Sequence, residues 1–355
     1  MALNLPNHRI VESEIDTDSV FLVIMSRAVL FEITLRASNF LGTPFETETK
    51  EWFNKVNARE EAPDDSEILD EFWDWLVLPC AEYIRRNAPV IHEPISLQKF
   101  AFPPTHPLRL LPVDGMITAV PTGGERLSES TLSTISASIS SLPPTVRKVS
   151  AADVLIYQNL DSEFDHTCDI PRRVKVAEHD PYFKTVIDAG DFIREVSALS
   201  RISELGLSIN VSKLYAIVLS EDEQLILGIL MDWLPFGSQT LETDRFIQMK
   251  EHHARWERQI REIAKVLHSN DIVWGDVHPG NILIDYELNA WIVDFGGGYQ
   301  VEFIDGKSAG TKQGDLEGIH NVFCKWLPRW YLELQPDVAS DTDRLNLCYN
   351  RPHLM

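Results

Sequence analysis

The chain has 355 residues, 44% of them hydrophobic, and 32 basic against 54 acidic side chains give it a formal net charge of -22. Length and apolar share suit two or three folded domains with real cores. The acidic balance argues against a nucleic-acid backbone or an anionic membrane as the main partner, because binding either needs a basic face.

Four cysteines, Cys80, Cys168, Cys324 and Cys348, stand far apart and match neither a zinc spacing nor a dense disulfide framework. A reducing compartment is expected. The apolar run Val20 to Met25 is too short to span a bilayer and lacks a basic flank with a cleavage site. The expectation is an intracellular, cytoplasmic protein.

Residues 1–144 form a first segment, mixed or helical. Residues 20–40 are apolar with Arg27, Glu32 and Arg36 interspersed, which suits a helix, or a strand and a helix. Over residues 67–86, Ile68, Leu69, Phe72, Trp75, Leu76 and Leu78 recur near helical spacing, with acidic residues early and Arg85 and Arg86 late, as a helix dipole prefers. The acidic, proline-containing stretch 58–66 reads as a loop. Residues 94–121 are proline-rich, with Phe100, Phe102, Leu108, Leu110 and Leu111 available to dock. The Ser/Thr-rich run 128–141 has the composition of a linker, although Leu132, Ile135 and Ile139 fit a short helix face. Pro143 and Pro144 then mark a domain boundary.

Beyond it, residues 149–157 predict a strand, and 172–176 with 182–187 predict a hairpin around Glu178, His179 and Asp180. Phe192, Val196, Leu199 and Ile202 mark an amphipathic helix. Strands follow at 214–219 and 224–231. A helix over 243–268 carries Phe246, Trp256, Ile260, Ile263, Ala264 and Leu267 on one face. Its His252, His253 and His268 need no catalytic role, and solvated or capping uses suffice.

Residues 274–295 read W-G-D-V-H-P-G-N-I-L-I-D-Y-E-L-N-A-W-I-V-D-F, followed by Gly296, Gly297 and Gly298. Asp276 and Asn281 lie five residues apart, and Asp294 comes thirteen later, after the apolar runs 282–284 and 290–293. Those runs predict a hairpin turning at 286–289. Such a fold-back brings Asn281 and Asp294 side by side, two oxygen ligands suited to Mg²⁺ on nucleotide phosphates. Asp276 then sits just ahead, where it can orient an acceptor hydroxyl.

This arrangement resembles the protein kinase-like superfamily, whose members carry a catalytic Asp, a metal-binding Asn and a D-F-G. Here the D-F-G is Asp294, Phe295 and Gly296. With Gly275 before the aspartate and His278, Pro279 and Gly280 after it, the loop is more similar to aminoglycoside phosphotransferases and to kinase-like proteins common in fungal genomes, which carry H-G-D-x-H-P-x-N. Trp274 replaces their first histidine, so that residue's structural role must be filled differently.

The resemblance implies an α+β, two-lobed kinase-like fold: residues 145–235 as a small antiparallel sheet with one helix, 236–355 as a reduced helical lobe, and 1–144 as an extension, either a partner-binding module or a brace. It implies ATP and Mg²⁺ as cofactors, with Asn281 and Asp294 on the metal. It also implies a phosphate-holding lysine paired with Glu195; Lys184 is the first choice and Lys175 the competitor. Asp232, Trp233, Leu234 and Pro235 would be the interlobe hinge, with Met231, Trp233 and Leu283 as purine contacts. Asp315 would hold the catalytic loop's backbone.

Two departures oppose turnover. Residues 161–171 are acidic and contain no glycine where a glycine-rich loop would cradle phosphates. Tyr182 is bulkier than the small residue kinases place above adenine. The implied activity is transfer of the γ-phosphate to a hydroxyl of an unidentified protein or small molecule. The alternative is a catalytically inactive pseudokinase that binds or scaffolds.

Overall fold

The computed structural model describes residues 5–58, 66–89, 93–123, 126–127, 130–138, 142–156, 170–234 and 238–334. Residues 157–169 with their acidic run, Cys168, Pro235, and residues 335–355 with Cys348 lie outside that set. The fold is α+β with several sheets. Its chain divides into two units, one of residues 1–134, 149–183 and 218–227, the other of 135–148, 184–217 and 228–355.

In the first unit the β-branched and aromatic residues around Phe21 and Phe31 form strands. Ser19–Ser26 and Val29–Arg36 pair antiparallel from Ser19↔Arg36 to Ser26↔Val29. Two strands thus stand where a helix, or a strand and a helix, is expected from the sequence. The reason is the two-residue turn at Arg27 and Ala28, with φ of 48° and 56°, a left-handed pair that matches strand twist but normally announces itself with Asn or Gly. Arg27 Nη1 donates to Ala88 O at 3.0 Å and secures the turn from outside it.

The sheet runs in the order Arg9–Ile15, Ser19–Ser26, Val29–Arg36, Pro104–Val113, Met116–Pro121, with Arg126–Leu127 against Pro104–Val113. Val29–Arg36 and Pro104–Val113 are parallel, so a long crossover must join them. That crossover holds helices Glu46–Ala58, Ser66–Val77 and Ala81–Asn87. The helix expected through residue 86 breaks into a 3₁₀ turn at Leu78–Cys80, because Pro79 lacks the N–H that an α-helix needs there. The proline-rich stretch becomes the short strand Ile95–Ser96, the helix Leu97–Ala101 and two longer strands joined at Asp114 and Gly115. Leu22, Ile24, Phe31, Ile33, Phe53, Phe72, Leu76 and Ile84 close one apolar core. Burial pushes the Cys80 thiol up to about 12, which makes it a packing residue.

A smaller antiparallel sheet in the same unit pairs Leu155–Ile156 with Ile95–Ser96 on one side and Val174–Lys175 on the other. The region read as one strand over 149–157 is therefore two short strands, Lys148–Ser150 and Leu155–Ile156, separated by a 3₁₀ turn.

The second unit is built around helices. Ala189–Glu204 starts at Asp188, whose carboxylate accepts from Gly190 N at 2.7 Å and Asp191 N at 3.2 Å, an N-cap in the usual sense. Asp244–Gln248 and Lys250–Ser269 replace the single helix expected over 243–268, with a break at Met249. Strands Ile282–Ile284 and Ala290–Ile292 form the expected hairpin, and Gln239–Thr240 adds a third strand. Lys312–Asn321 and Leu327–Leu334 complete the described chain, joined by a π-helical turn at Val322–Trp326.

Among the described residues no helix is long and apolar enough to cross a membrane.

Candidate functional site

The hairpin is held at its tip before any site residue is reached. Asp285, buried, accepts from Asn289 N at 2.8 Å and from Trp291 Nε1 at 2.9 Å, which closes a turn whose Leu288 has φ of 61°. Helix Lys250–Ser269 then clamps it. Trp256 Nε1 donates to Leu288 O at 3.0 Å, Arg255 to Asn289 Oδ1 at 2.7 Å, and Gln259 Oε1 accepts from Ala290 N at 3.0 Å. Sequence reasoning saw Trp256 as core and assigned nothing to Arg255 or Gln259. Their signal, polar residues four apart on a helix, is common to any solvated face.

The loop ahead of the hairpin is fixed from below. Asp315, 1% exposed, accepts from Trp274 N at 2.9 Å and Gly275 N at 2.7 Å, so the backbone-holding role expected of it is the contact observed. His268 Nε2 lies 2.7 Å from the same carboxylate. The expectation that this histidine is solvated or caps a helix gives way to a largely buried partner of Asp315. Trp274 is fully buried, and its Nε1 donates to Val293 O and Asp294 O at 3.0 Å each. The indole thus ties the loop to the segment carrying Asp294.

Asp276 and Asn281 meet across that loop. Asn281 Nδ2 donates to Asp276 O at 3.0 Å and to Asp276 Oδ2 at 3.1 Å. His278 Nε2 stands 3.8 Å from Asp276 Oδ2, while its Nδ1 accepts from Gly280 N. Burial pushes the Asp276 carboxyl above its ordinary value, and Asp294 adds to that, against the opposing pull of His278, Asn281 and Lys184.

Lys184, on strand Tyr182–Thr185 beside Leu225–Met231, reaches two carboxylates. Its Nζ donates to Glu195 Oε2 at 2.8 Å and Oε1 at 3.0 Å, and lies 2.8 Å from Asp294 Oδ1. Burial opposes the ammonium charge, yet the two carboxylates outweigh it and hold Lys184 above its ordinary value. Glu195 is 5% exposed, so its charge requires such a partner. Lys175, the competing lysine, is half-buried on its short strand and makes no ion pair among the described residues.

Asp294 has φ of 62° and accepts from Gly296 N at 3.1 Å through Oδ1, the oxygen Lys184 also uses. Its Oδ2 and the Oδ1 of Asn281 accept no hydrogen bond among the described residues. Two hard oxygen donors are therefore left open on adjacent segments, joined by Val293 N donating to Asn281 O at 3.1 Å. That donor set suits Mg²⁺, which usually takes one or two protein oxygens and completes its shell with water and phosphate. Among the described residues no group of three or more His, Cys, Asp or Glu side chains is gathered to hold a metal unaided.

A cavity of about 110 Å³ opens onto Lys184, Asp191, Glu195, Ile229, Asp294 and Gly296. Met231, buried at the end of its strand, Trp233, 43% exposed, and Leu283, half-buried on the hairpin, do not line it. The structure thus gathers Asp276, Asn281, Asp294, Lys184 and Glu195 and leaves the three residues expected at a purine outside the cavity. Comparison with models of known families and with curated proteins yields no match for this chain.

Proposed function

We propose that the chain is an ATP- and Mg²⁺-dependent phosphotransferase of the protein kinase-like superfamily, with a two-lobed kinase-like fold, acting on a hydroxyl of a protein or small molecule. The observation that carries this reading is the ion-paired set Lys184, Glu195 and Asp294, next to the hydrogen-bonded pair Asp276 and Asn281. Asn281 Oδ1 and Asp294 Oδ2 would hold the metal, and Lys184 would meet the nucleotide's phosphates. When bound, ATP supplies the phosphoryl group, and Mg²⁺ offsets its charge.

Asp276 accepts the acceptor hydroxyl's hydrogen bond and aligns its oxygen. Asn281 fixes the rotamer of Asp276 through Nδ2, so the carboxylate is oriented before a substrate arrives. Glu195 keeps Lys184 charged and in place, and the Trp274 indole keeps Asp294 in register with the loop. Little covalent chemistry is asked of the protein; placement and charge supply the rate.

A second reading, the pseudokinase, is favoured by one observation. The cavity of about 110 Å³ is smaller than the roughly 300–1,000 Å³ of ordinary ligand pockets. Calorimetry or thermal shift with ATP plus Mg²⁺ against ATP plus EDTA, on wild type and Asp294→Ala, separates the two. Magnesium-dependent binding that Asp294→Ala abolishes is expected. No binding at millimolar ATP overturns the phosphotransferase.

A further inference from the structure

Arg194 stands one residue before Glu195 on helix Ala189–Glu204, and none of the interactions above uses it. Its guanidinium lies against glycines from three other segments. A Cβ at position 275 would overlap Nη2 and stand 2.8 Å from Cζ, and one at position 297 would overlap Nη1 and stand 3.0 Å from Cζ. The Cβ position of Gly310 is 3.6 Å from Nη1. Gly275 and Gly297 also have φ of 90° and 91°, so side chains are excluded there twice over, once by the backbone and once by the same arginine.

Gly275 immediately precedes Asp276, and Gly297 follows Asp294 by three residues. The guanidinium therefore fills the space where three segments converge, each carrying part of the site: the helix with Glu195, the loop with Asp276 and the turn with Asp294. Arg194 is half-buried and makes no hydrogen bond or ion pair among the described residues, so shape rather than a charge partner defines its seat. A planar, rigid fork suits such a seat better than a flexible ammonium does.

We propose that Arg194 is a positioning residue that keys the Glu195 helix to the Asp276 loop and the Asp294 turn, with Gly275 and Gly297 as its complement. The functional consequence rests on the phosphotransferase reading. Displacing the key lets Glu195 and Asp294 drift apart, and with them the two carboxylates that hold Lys184.

The test is a double-mutant cycle in the full chain, with Arg194→Ala, Gly297→Ala and both together, read by Mg²⁺–ATP affinity and by thermal midpoint. Arg194→Ala is expected to weaken nucleotide binding by about tenfold, and Arg194→Lys to recover only part of it. Gly297→Ala is expected to cost more than the same change made in the Arg194→Ala background, where the methyl has room. The strain of a side chain at φ of 91° is common to both arms and cancels. Strict additivity overturns the keyed seat. A lowered thermal midpoint with unchanged nucleotide affinity in Arg194→Ala also overturns the proposal, leaving the arginine a packing residue only.

Should wild type fail to bind Mg²⁺–ATP, the phosphotransferase reading falls on that result alone. The cycle on stability, with amide hydrogen exchange at residues 275–277 and 294–298 in Arg194→Ala, then decides the coupling. Faster exchange in both segments sustains it, and unchanged exchange sinks it.

Discussion

The first unit closes its core on Phe31, Phe40, Phe72 and their apolar neighbours, and its fully buried polar side chains among the described residues are hydroxyls, those of Ser26, Thr49, Thr105 and Ser220. The second buries Glu195, Asn281, Asp285 and Asp315. Removing a carboxylate from water costs several kcal/mol unless it is paired, and apolar residues of similar size usually serve stability as well or better. Each of the buried carboxylates in the second unit is bonded to backbone N–H groups, an indole, a histidine or Lys184. Burial in the first unit thus answers a packing requirement, whereas in the second it positions charge. Chemistry is to be sought where buried charges cluster.

The largest effect expected is in the first unit. Phe31→Ala removes a fully buried ring that packs edge-on to Tyr83 at 6.3 Å and stacks on His106 at 5.5 Å, and should cost about 3–5 kcal/mol in denaturant unfolding. Its nucleotide affinity, measured under conditions where the variant is folded, should match wild type. A parallel loss of affinity would break the contrast between the units.

Asp276→Asn should lower phosphoryl transfer at least about a hundredfold. Its effect on stability runs the other way. Because burial raises the Asp276 pKa in the folded state, the contribution of this group is favourable at low pH and is lost as pH rises through the raised value. At neutral pH the ionised carboxylate opposes folding, so Asp276→Asn should unfold at a higher temperature than wild type there, and the gain should vanish in acid. A variant that loses both activity and stability at neutral pH would show Asp276 to be structural.

Asp315→Asn tests whether burial beneath the loop serves position. It keeps one acceptor for Trp274 N and Gly275 N but not two, at about 1–3 kcal/mol for the orphaned group. The expected signature is faster hydrogen exchange at residues 274 and 275. Unaltered exchange would mean that another group takes over the loop backbone.

The smallest effect sharpens the weakest part of the site. If Trp233 contacts a purine, Trp233→Ala should raise the ATP dissociation constant about two- to tenfold, from an aromatic stacking of about 0.5–1.5 kcal/mol. An unchanged constant would remove Trp233 from the nucleotide site, in keeping with its place outside the cavity.

Which parts of this were legible in the sequence depended on how local the signal was. The hairpin Ile282–Ile284 with Ala290–Ile292, the strands Leu214–Leu219 and Leu225–Met231 and the helix around Glu195 each carry their own periodicity and boundaries, and they are found where the pattern puts them, within a few residues. Over residues 20–40, where a helix or a strand and a helix is expected, a second strand forms because Arg27 and Ala28 adopt positive φ without the residues that usually signal it, and a contact to Ala88, 61 positions away, secures them. The 3₁₀ turn at Pro79 was in principle readable from the proline, although the helical pattern on either side masked it.

The linear order of Asp276, Asn281 and Asp294, the lysine and glutamate ahead of them, and the apolar runs between are properties of the sequence alone, because short-range alternation and fixed spacing determine which residues a hairpin can bring together. Which of two lysines meets Glu195, which partner the buried His268 finds, how Trp274 ties the loop to Asp294, and that Gly275 and Gly297 face one arginine were decided only by tertiary structure. Those contacts join residues from 11 to 103 positions apart, as Lys184 and Glu195 or Arg194 and Gly297 are. No local propensity encodes them, since each depends on the packing of whole elements against one another.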